Sequence, residues 1–410
     1  MQPDFDVLVA GGGAGGAAAA CFLAQQGLRV QVVEKARLPR YKPCGGAIPR
    51  PVLERFPFSL QDTVRATPAE LRFTYPGLPP VDVPLADRPL VMVMRSEFDA
   101  CLLAHSGAEV LDGTAVTGVE ESPDGVRVWV REQDTPTLPS PAAAGEDERV
   151  LTARYLVGAD GAASQVARRL GLRHNRRLGG TLEADVPLEG RPELQAQFGR
   201  RVHFSLGVLP RGYAWVFPKG DCLSVGIGRF LPGQVDLRSA LREEMLRLGI
   251  PLDGIPLHGH PIPGYQAPPW PWGRRRPQAR LSTRRCLLVG DAAGLVDPLI
   301  GEGIRYAIAS ARLAAAAIAR DDLAGYEAAV WREIGHSLAT CGVAADLIYR
   351  WPRRFFQLGV RNPATVRQFV DVLTERASYI GIGRRLVAAT VSRLFQRRGA
   401  ENRTSAASGR

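Results

Sequence analysis

Three aromatic residues alternate with small aliphatic residues in the segment GYAWVFPKG, residues 212–220. Successive side chains of a β-strand point to opposite faces, so Tyr213, Trp215 and Phe217 are expected to share one face. Aromatic faces stabilise a nearby positive charge by roughly 0.5–2 kcal/mol each, and they keep water away from it. The pattern therefore fits either a packed core or the wall of a site in which positive charge develops.

A second group of candidate residues lies in the glycine-rich segment FDVLVAGGGAGG. Gly11 permits a tight turn, Gly13 lets the backbone approach a diphosphate, and Gly16 lets the next helix pack closely on a strand. The free N–H groups at the start of that helix attract phosphate. An acid further along the chain is placed to accept hydrogen bonds from ribose hydroxyls. The residues predicted to bind a dinucleotide here are Gly11, Gly13, Ala14, Gly16, Glu34 and Lys35.

These residues must be positioned by a β-strand–helix–β-strand unit. Residues 5–10 predict an apolar strand, an alanine-rich helix ends near Gly27, and Val30 to Val33 predict the second strand. A simple nicotinamide dehydrogenase would continue with further regular units. Here the chain instead enters a loop rich in Pro, Arg and Gly. This departure favours FAD over NAD and an interrupted nucleotide-binding domain.

Three later segments each place a charged residue at a junction between elements. Arg95 opens the helical segment RSEFDACLLA, Asp160-Gly161 follow the strand YLVGA, and Gly290-Asp291 follow the strand CLLV. Open α/β sheets bind ligands at the carboxyl ends of their strands, where Asp can accept hydrogen bonds from ribityl or ribose hydroxyls. Taken alone, each segment is equally compatible with an ordinary strand–turn–helix junction.

Together and in this order, the segments resemble the glutathione-reductase-like FAD fold of the aromatic-hydroxylase superfamily. The resemblance implies that Arg95, Asp160-Gly161 and Gly290-Asp291 face FAD. It also implies that the helix starting near Gly303 directs its positive end at the flavin ring, where it would stabilise the anionic reduced flavin.

The residues around the aromatic segment resemble a narrower family. PRGYAWVFP, residues 210–218, followed by Gly226-x-Gly228, is similar to the P-x-x-Y-x-W-x-F-P…G-x-G signature of the geranylgeranyl reductase family. KPCGG, residues 42–46, resembles the family's CGG loop, and DPLIGEGI, residues 297–304, resembles its flavin-side loop. The resemblance covers roughly residues 5–345. It implies further cofactor contacts at Cys44, Gly45, Pro298, Gly301, Gly303 and Ile304.

This resemblance implies FAD-dependent saturation of double bonds in a geranylgeranyl or polyprenyl chain, free as the diphosphate or attached to a chlorophyllide, a quinone or an ether lipid. A hydride would reach one carbon and a proton the other, with positive charge on the tertiary carbon. Tyr213, Trp215 and Cys44 are the predicted catalytic residues, and Tyr213, Trp215, Phe217 and Pro218 the predicted substrate contacts. For Cys44 the alternative is a small buried residue in a glycine-rich loop. NADPH or reduced ferredoxin is the expected electron donor.

The main alternative is an FAD-dependent monooxygenase or hydroxylase of a hydrophobic aromatic substrate. A halogenase usually adds a W-x-W-x-I-P motif and a catalytic lysine, and the sequence contains no such motif. The 6 cysteines show no CxxC pairing, so neither an iron–sulfur centre nor a disulfide framework is predicted. His258 and His260 alternate without other ligands nearby, and no metal site is predicted.

The predicted architecture is α/β with three parts. A discontinuous FAD-binding domain comprises residues 1–63, 94–178 and 263–325, and an antiparallel substrate-binding sheet domain comprises residues 64–93 and 179–262. Residues 326–399 are predicted to be a helical region and residues 400–410 a disordered tail. Residues 132–149 are predicted to form an exposed hairpin loop.

Charge and hydropathy bear on partners and location. The net charge of +11 comes mostly from arginine, which indicates either codon bias or attraction to an anionic partner. No nucleic-acid-binding motif accompanies it, so nucleic acid is not an expected partner. The amphipathic segment 383–399 is predicted either to pack on the core or to lie on an anionic membrane surface. Without a signal peptide or an apolar run that could span a bilayer, we expect a monomeric cytoplasmic protein with peripheral membrane contact, an isoprenoid lipid substrate and ferredoxin as a partner.

Overall fold

The computed structural model describes residues 3–133, 148–172, 178–230, 233–265 and 280–381. The helix predicted at 383–399, the tail at 400–410 and most of the loop at 132–149 lie outside these residues.

The described chain alternates strands with short helices up to residue 288 and is helical from residue 304 onward. The strands are β1 (Phe5–Ala10), β2 (Val30–Val33), β3 (Ala47–Pro49), β4 (Val64–Ala66), β5 (Glu70–Tyr75), β6 (Leu78–Pro84), β7 (Leu90–Val93), β8 (Glu109–Leu111), β9 (Thr114–Glu121), β10 (Val126–Glu132), β11 (Glu148–Gly158), β12 (Leu178–Pro187), β13 (Arg201–Leu206), β14 (Gly212–Pro218), β15 (Cys222–Arg229), β16 (His258–Pro263) and β17 (Cys286–Leu288). The α-helices are α1 (Ala14–Ala24), α2 (Arg95–Ala104), α3 (Gln165–Arg169), α4 (Pro192–Phe198), α5 (Leu237–Arg247), α6 (Ile304–Ala319), α7 (Tyr326–Val330), α8 (His336–Arg350), α9 (Pro352–Phe355) and α10 (Pro363–Leu373).

The first sheet contains the predicted dinucleotide-binding unit. Its strand order is β8-β2-β1-β11-β10-β9, and β17 also pairs with β11. Strands β8, β2, β1, β11 and β17 pair in parallel. Parallel pairing needs crossover connections, which usually place helices over the faces of the sheet. The carboxyl ends of β1, β11 and β17 therefore lie side by side, and Gly11, Asp160 and Gly290 follow them within two residues.

Two glycines shape the turn after β1. Gly11 has a φ of +102°, and a Cβ at this position would lie 2.5 Å from the carbonyl oxygen of Ala159. A Cβ at Gly16 would lie 1.8 Å from the carbonyl oxygen of Gly11. A side chain at either position is sterically excluded, so the tight turn and the close packing of α1 depend on these glycines.

The second sheet has the order β16-β12-β15-β14-β13-β5-β6 and is antiparallel except between β13 and β5. Along β14 the residues alternate between two cores, as the sequence pattern predicts. Ala214 and Val216 belong to a core shared with α4 and α5, whereas Tyr213, Trp215 and Phe217 belong to a core on the opposite face. The aromatic residues are thus both core residues and, as described below, part of the wall of a cavity.

The remaining elements enclose that cavity. A small third sheet, β3-β7-β4, follows the loop that contains Cys44. In the predicted helical region, Val366 and Leu373 of α10 pack into the aromatic core. No helix within the described residues is long and apolar enough to cross a bilayer.

Candidate active site

One large cavity lies between the two main sheets, with an empty volume of about 1390 Å³ that is partly open to solvent. Both predicted halves of the site contribute to its wall. Its lining includes, from the nucleotide-binding turns and helices, Gly13, Ala14, Gly15, Arg95, Gly161, Gly290, Asp291, Gly301, Glu302, Gly303 and Ile304, and, from the Cys44 loop and the second sheet, Lys42, Cys44, Gly45, Thr181, Glu183, Phe204, Tyr213, Trp215, Phe217 and His260.

The N-terminus of α1 forms the first part of a diphosphate-binding site. Its N-cap is Gly13, which has no side chain to satisfy the first N–H groups of the helix. Two guanidinium groups lie close to this turn. A Cβ on Gly13 would be 3.3 Å from Arg40 Nη2 and 3.6 Å from Arg95 Nη2. Open N–H groups and two cations beside a backbone without a side chain suit a diphosphate.

Arg95 is held in place by Asp99. The guanidinium donates from Nε and Nη2 to the two carboxylate oxygens of Asp99 at 2.8 and 2.7 Å. Burial disfavours the charged guanidinium, but Asp99 outweighs this effect and raises the pKa of Arg95 above its ordinary value. The helical spacing of these two residues thus places a permanent cation in the cavity wall.

Two acids that follow parallel strands have different environments. Asp160 accepts hydrogen bonds at Oδ2 from the backbone N–H groups of Gln165 and Val166, while its buried Oδ1 has no partner among the described residues. This oxygen is available to a ligand hydroxyl. Glu34 instead accepts from the backbone N–H of Gly12 at 2.7 Å and of Ala36 at 3.0 Å, so its carboxylate also holds the glycine-rich turn together.

The segment 297–304 positions the N-terminus of α6 against the cavity. Asp297 accepts at Oδ1 from the backbone N–H groups of Leu299 and Ile300, which folds the segment into a compact turn. Gly303 is the N-cap of α6 and carries no capping side chain. The open end of this 16-residue helix therefore faces the cavity with its partial positive charge.

The aromatic row, defined as Tyr213, Trp215 and Phe217 of β14, lies over small residues of the neighbouring strand. Tyr213 pairs with Gly228, Trp215 with Gly226 and Phe217 with Ser224. A Cβ on Gly226 would lie only 2.2 Å from Trp215 Cζ2, so the indole fills the space above that glycine. The G-x-G part of the sequence signature therefore provides the surface on which the aromatic row packs.

Hydrogen bonds fix two of these rings. The Tyr213 hydroxyl donates to the carbonyl oxygen of Ile300 at 2.6 Å, and Trp215 Nε1 donates to Ser224 Oγ at 3.3 Å. The first bond joins the second sheet to the segment 297–304. Each ring is 6% exposed, so the polar atoms are satisfied while the ring faces remain in an apolar environment.

The Cys44 loop, defined as residues 41–46, is bound to the second sheet through the backbone of Cys44. Its N–H donates to Glu183 Oε1, and its carbonyl oxygen accepts from Lys219 Nζ at 2.8 Å. Gly45 contacts the aromatic row, since a Cβ there would lie 2.8 Å from Phe217 Cδ2. The loop thus places the Cys44 thiol at the boundary between the predicted cofactor and substrate regions.

A half-buried polar cluster lies in the same wall. Lys42 Nζ is 3.1 Å from His260 Nε2, which is 3.8 Å from Asp291 Oδ2. Burial, and then the nearby Arg95, lower the pKa of Lys42, and burial also lowers the pKa of His260. His260 is therefore neutral at pH 7.

The structure brings most of the predicted site residues together but leaves some outside the cavity lining. Lys35 is exposed, and Pro218 and Pro298 are buried away from the lining. Gly11 and Gly16 serve the turn itself, and Glu34 and Asp160 also lie outside the lining.

Sequence reasoning missed Glu183, Lys219 and Glu302 as site residues. Glu183 and Glu302 are acids with very low exposure in the cavity wall, and burial raises the pKa of each carboxyl to about 7. A sequence signal existed for Glu183, because Thr181, Glu183 and Asp185 alternate with apolar residues along β12.

Comparisons with known proteins identify the family. A family model described as an FAD binding domain matches residues 4–192. The chain is 33% identical over 329 residues to the geranylgeranyl diphosphate reductase of Rhodobacter capsulatus, covering 76% of this chain and 74% of that protein. The chain belongs to the geranylgeranyl reductase family. The chloroplastic geranylgeranyl diphosphate reductase of Oryza sativa is 30% identical, covering 91% of this chain and 80% of its own length.

A further relative is similar in sequence, and solved structures share the fold. The menaquinone reductase of Mycolicibacterium smegmatis is 30% identical over 91% of this chain and 86% of its own length. A geranylgeranyl bacteriochlorophyll reductase-like protein of Thermoplasma acidophilum has the same fold, with a TM-score of 0.69 and 22% identity over 92% of this chain and 93% of that chain. A flavin-dependent halogenase shares the fold at a TM-score of 0.60 and 23% identity, over 83% of this chain and 63% of that chain. This member of the geranylgeranyl reductase family is therefore an FAD-dependent oxidoreductase with an α/β FAD-binding fold. The uncapped N–H groups of α1, the two guanidinium groups of Arg40 and Arg95, and Asp160 Oδ1 fit that cofactor.

Proposed function

We propose that this protein is an FAD-dependent reductase that saturates double bonds of a geranylgeranyl or polyprenyl chain. The observation that carries the proposal is the shared cavity: the aromatic row and the glycine turns of the FAD-binding region line one continuous space. A hydrocarbon chain bound along the aromatic row would reach the cofactor region without leaving that space.

The chemistry of alkene reduction matches the residues of the cavity wall. Reduced FAD, when bound, supplies a hydride to one carbon of the double bond. An isolated alkene accepts hydride poorly unless the other carbon receives a proton, and positive charge then develops on the tertiary carbon. The faces of Tyr213 and Trp215 would stabilise that charge by roughly 0.5–2 kcal/mol each and exclude the water that would quench it.

The polarity of the cavity fits an isoprenoid rather than a small polar substrate. The wall includes the apolar residues Leu90, Val202, Phe204, Ile262 and Leu373. It also includes polar residues of β12, β16 and the Cys44 loop. We assign the hydrocarbon to the apolar residues and the reacting bond to the region between Trp215 and the Cys44 loop.

The electron donor and the partners belong to the same proposal. NADPH or reduced ferredoxin would reduce the flavin, and the excess of arginine would suit either anionic partner. A lipid substrate also implies contact with a membrane surface, to which an arginine-rich chain is attracted when the lipids are anionic.

One experiment separates this function from the monooxygenase alternative. The FAD-loaded protein is reduced with dithionite without oxygen and is then given geranylgeranyl diphosphate or menaquinone. Oxidation of the flavin in the absence of oxygen, with a gain of two hydrogens per saturated bond in the product, supports the reductase. Oxidation that occurs only after oxygen is admitted, with an oxygen atom in the product, refutes it.

A substitution tests the contribution of the aromatic row. Trp215→Leu is expected to slow alkene reduction while leaving flavin reduction by dithionite unchanged, because the indole acts on the substrate. Trp331→Leu is the matched control, since Trp331 is also a buried tryptophan but does not line the cavity. Unchanged alkene turnover in Trp215→Leu would remove the aromatic row from the mechanism.

A further inference from the structure

A carboxyl group lies directly beside the aromatic row. On the second sheet Glu183 of β12 pairs with Gly226, which pairs in turn with Trp215 of β14. Directly paired residues of neighbouring strands project to the same face of a sheet. Because Gly226 has no side chain, the carboxyl of Glu183 and the indole of Trp215 face the same cavity with only a glycine between them.

The hydrogen bonds of Glu183 involve only one of its two oxygens. Oε1 accepts from the N–H of Cys44 and from the Tyr41 hydroxyl, the latter at 3.4 Å. Within the described part of the chain no group donates to Oε2. Glu183 is 2% exposed, yet its side chain lines the cavity. One oxygen is therefore held by the protein, and the other is left for the cavity.

The charges around Glu183 leave it without a close cationic partner. Lys219, whose charge opposes the effect of burial on Glu183, donates to the carbonyl oxygen of Cys44 and lies 3.5 Å from Asp185 Oδ1. Burial raises the pKa of Glu183 to about 7, against the opposing effect of Lys219, so a large share of the carboxyl is protonated at neutral pH. The titratable and charged groups that face Glu183 are Tyr41, Lys42, Cys44, Asp185, Lys219 and His258.

From this geometry we propose that Glu183 is the acid that protonates the double bond. The proposal rests on the proposed function. The π electron pair of the alkene forms a C–H bond to the proton leaving the carboxyl, and the tertiary carbon receives the hydride pair that reduced FAD provides. The alkene gains two hydrogens, the flavin loses two electrons, and Glu183 is left as a carboxylate.

Tyr41 provides the path by which Glu183 regains its proton. Tyr41 is 44% exposed while its hydroxyl is hydrogen-bonded to Glu183 Oε1. Burial, together with Glu183 and Asp185, raises the pKa of Tyr41, so the hydroxyl keeps its own proton and can pass one on from solvent. Tyr41→Phe is therefore expected to slow repeated turnovers more than it slows the first turnover of the reduced enzyme.

Glu302 is the rival acid in the same cavity, and its surroundings differ. Its carboxylate lies 2.9 Å from the guanidinium Nε of Arg305, which favours the ionised form, and it belongs to the segment 297–304 instead of the substrate sheet. A comparison of Glu183→Gln with Glu302→Gln therefore tests which acid supplies the proton.

The experiment uses the FAD-loaded protein reduced with dithionite without oxygen, and follows single-turnover oxidation by geranylgeranyl diphosphate across pH. Gln keeps an oxygen that can accept from the Cys44 N–H, so Glu183→Gln preserves the loop contact and removes only the proton. We expect this variant to bind FAD and substrate as the parent does and to reduce the alkene about 10²–10⁴-fold more slowly. The parent rate should fall as the pH rises above about 7, and this fall should be absent from the residual rate of Glu183→Gln.

An infrared titration gives a readout that does not depend on activity. Glu183 and Glu302 should both contribute protonated carboxyl absorption that titrates near pH 7 in the oxidised holoenzyme. Loss of one part of that absorption in Glu183→Gln, and of a different part in Glu302→Gln, identifies the band of Glu183 and supports the proposal. Full alkene reduction by Glu183→Gln, or loss of the pH dependence in Glu302→Gln alone, overturns it while leaving the reductase function intact. A parent enzyme that oxidises only with oxygen overturns both.

Discussion

Replacing Gly226 by alanine tests whether the aromatic row depends on the glycine beneath it. The added Cβ would lie 2.2 Å from Trp215 Cζ2 and 2.5 Å from Cε2. Carbon atoms in contact are ordinarily about 3.5–4.0 Å apart, so the indole must withdraw by more than about 1 Å. The sheet backbone lies behind the indole, so the indole can move only toward the cavity.

The expected effect follows from this displacement. Overpacking a well-packed site costs about 1–3 kcal/mol of stability. A misplacement of about 1 Å in a positioning group can lower the rate by about 10²-fold. We therefore expect Gly226→Ala to lose a few kcal/mol of unfolding free energy and about 10²-fold in kcat/KM for alkene reduction.

The assay combines urea unfolding of the FAD-loaded protein with anaerobic alkene reduction. Gly180→Ala is the matched control, because Gly180 lies on the adjacent strand β12 and a Cβ there meets only Leu237 Cδ1, at an ordinary 3.6 Å. We expect Gly180→Ala to stay within about 0.5 kcal/mol of the parent. In a Trp215→Leu background, Gly226→Ala should lower the free energy of unfolding by less than it does in the parent. The difference between the two losses, the coupling energy, should be about 0.5–3 kcal/mol.

Two results would refute this reasoning. Equal stability and activity of Gly226→Ala and Gly180→Ala would mean that the indole is not confined by the sheet. An undiminished cost of Gly226→Ala in the Trp215→Leu background would locate the clash somewhere other than the indole.

Three further predictions concern the cofactor region, the buried acids and the tail. Arg95→Gln is expected to weaken FAD binding about 10–100-fold, measured by flavin fluorescence, because it removes a charged donor worth about 1.5–3 kcal/mol; equal affinity would exclude Arg95 as a cofactor contact. The native pKa of about 7 for Glu183 and Glu302 lies above the unfolded value of 4.5, so their stabilising contribution is complete below about pH 4.5 and is lost as the pH rises through about 7. The double Gln variant should therefore lose less stability than the parent between about pH 5 and about pH 8 in urea unfolding, and an equal loss contradicts the assignment. Removal of residues 383–410 is expected to reduce flotation on anionic but not on neutral liposomes, because each basic residue at the surface contributes about 1 kcal/mol to binding of anionic lipid. Unchanged flotation would assign the membrane contact elsewhere.

The local features of the site were predictable because they depend on neighbours in sequence. Glycine at positions 11, 13 and 16 is required by backbone contacts within one strand–turn–helix unit, which a sequence motif describes completely. The spacing of Arg95 and Asp99 is one helical turn, so their pairing also follows from the sequence. For the aromatic row, alternation predicts a common face but cannot decide between core and cavity, and the structure assigns it to both.

The polar residues that β12 contributes to the cavity wall could not be predicted in the same way. Thr181, Glu183 and Asp185 alternate with apolar residues along β12, and this pattern is identical for a strand facing solvent and for one facing an internal cavity. Only the packing of the second sheet against the FAD-binding region determines that Thr181 and Glu183 line the site.

The sequence by itself determined the dinucleotide-binding unit, the helical register of Arg95 and the common face of the aromatic row. Each of these rests on the fixed periods of helices and strands. Only tertiary packing brings the backbone of Cys44 to the side chains of Glu183 on β12 and Lys219 in the turn after β14, which are 139 and 175 residues away along the chain. Contacts over such separations depend on how sheets and loops pack, and no local pattern of residue types encodes them.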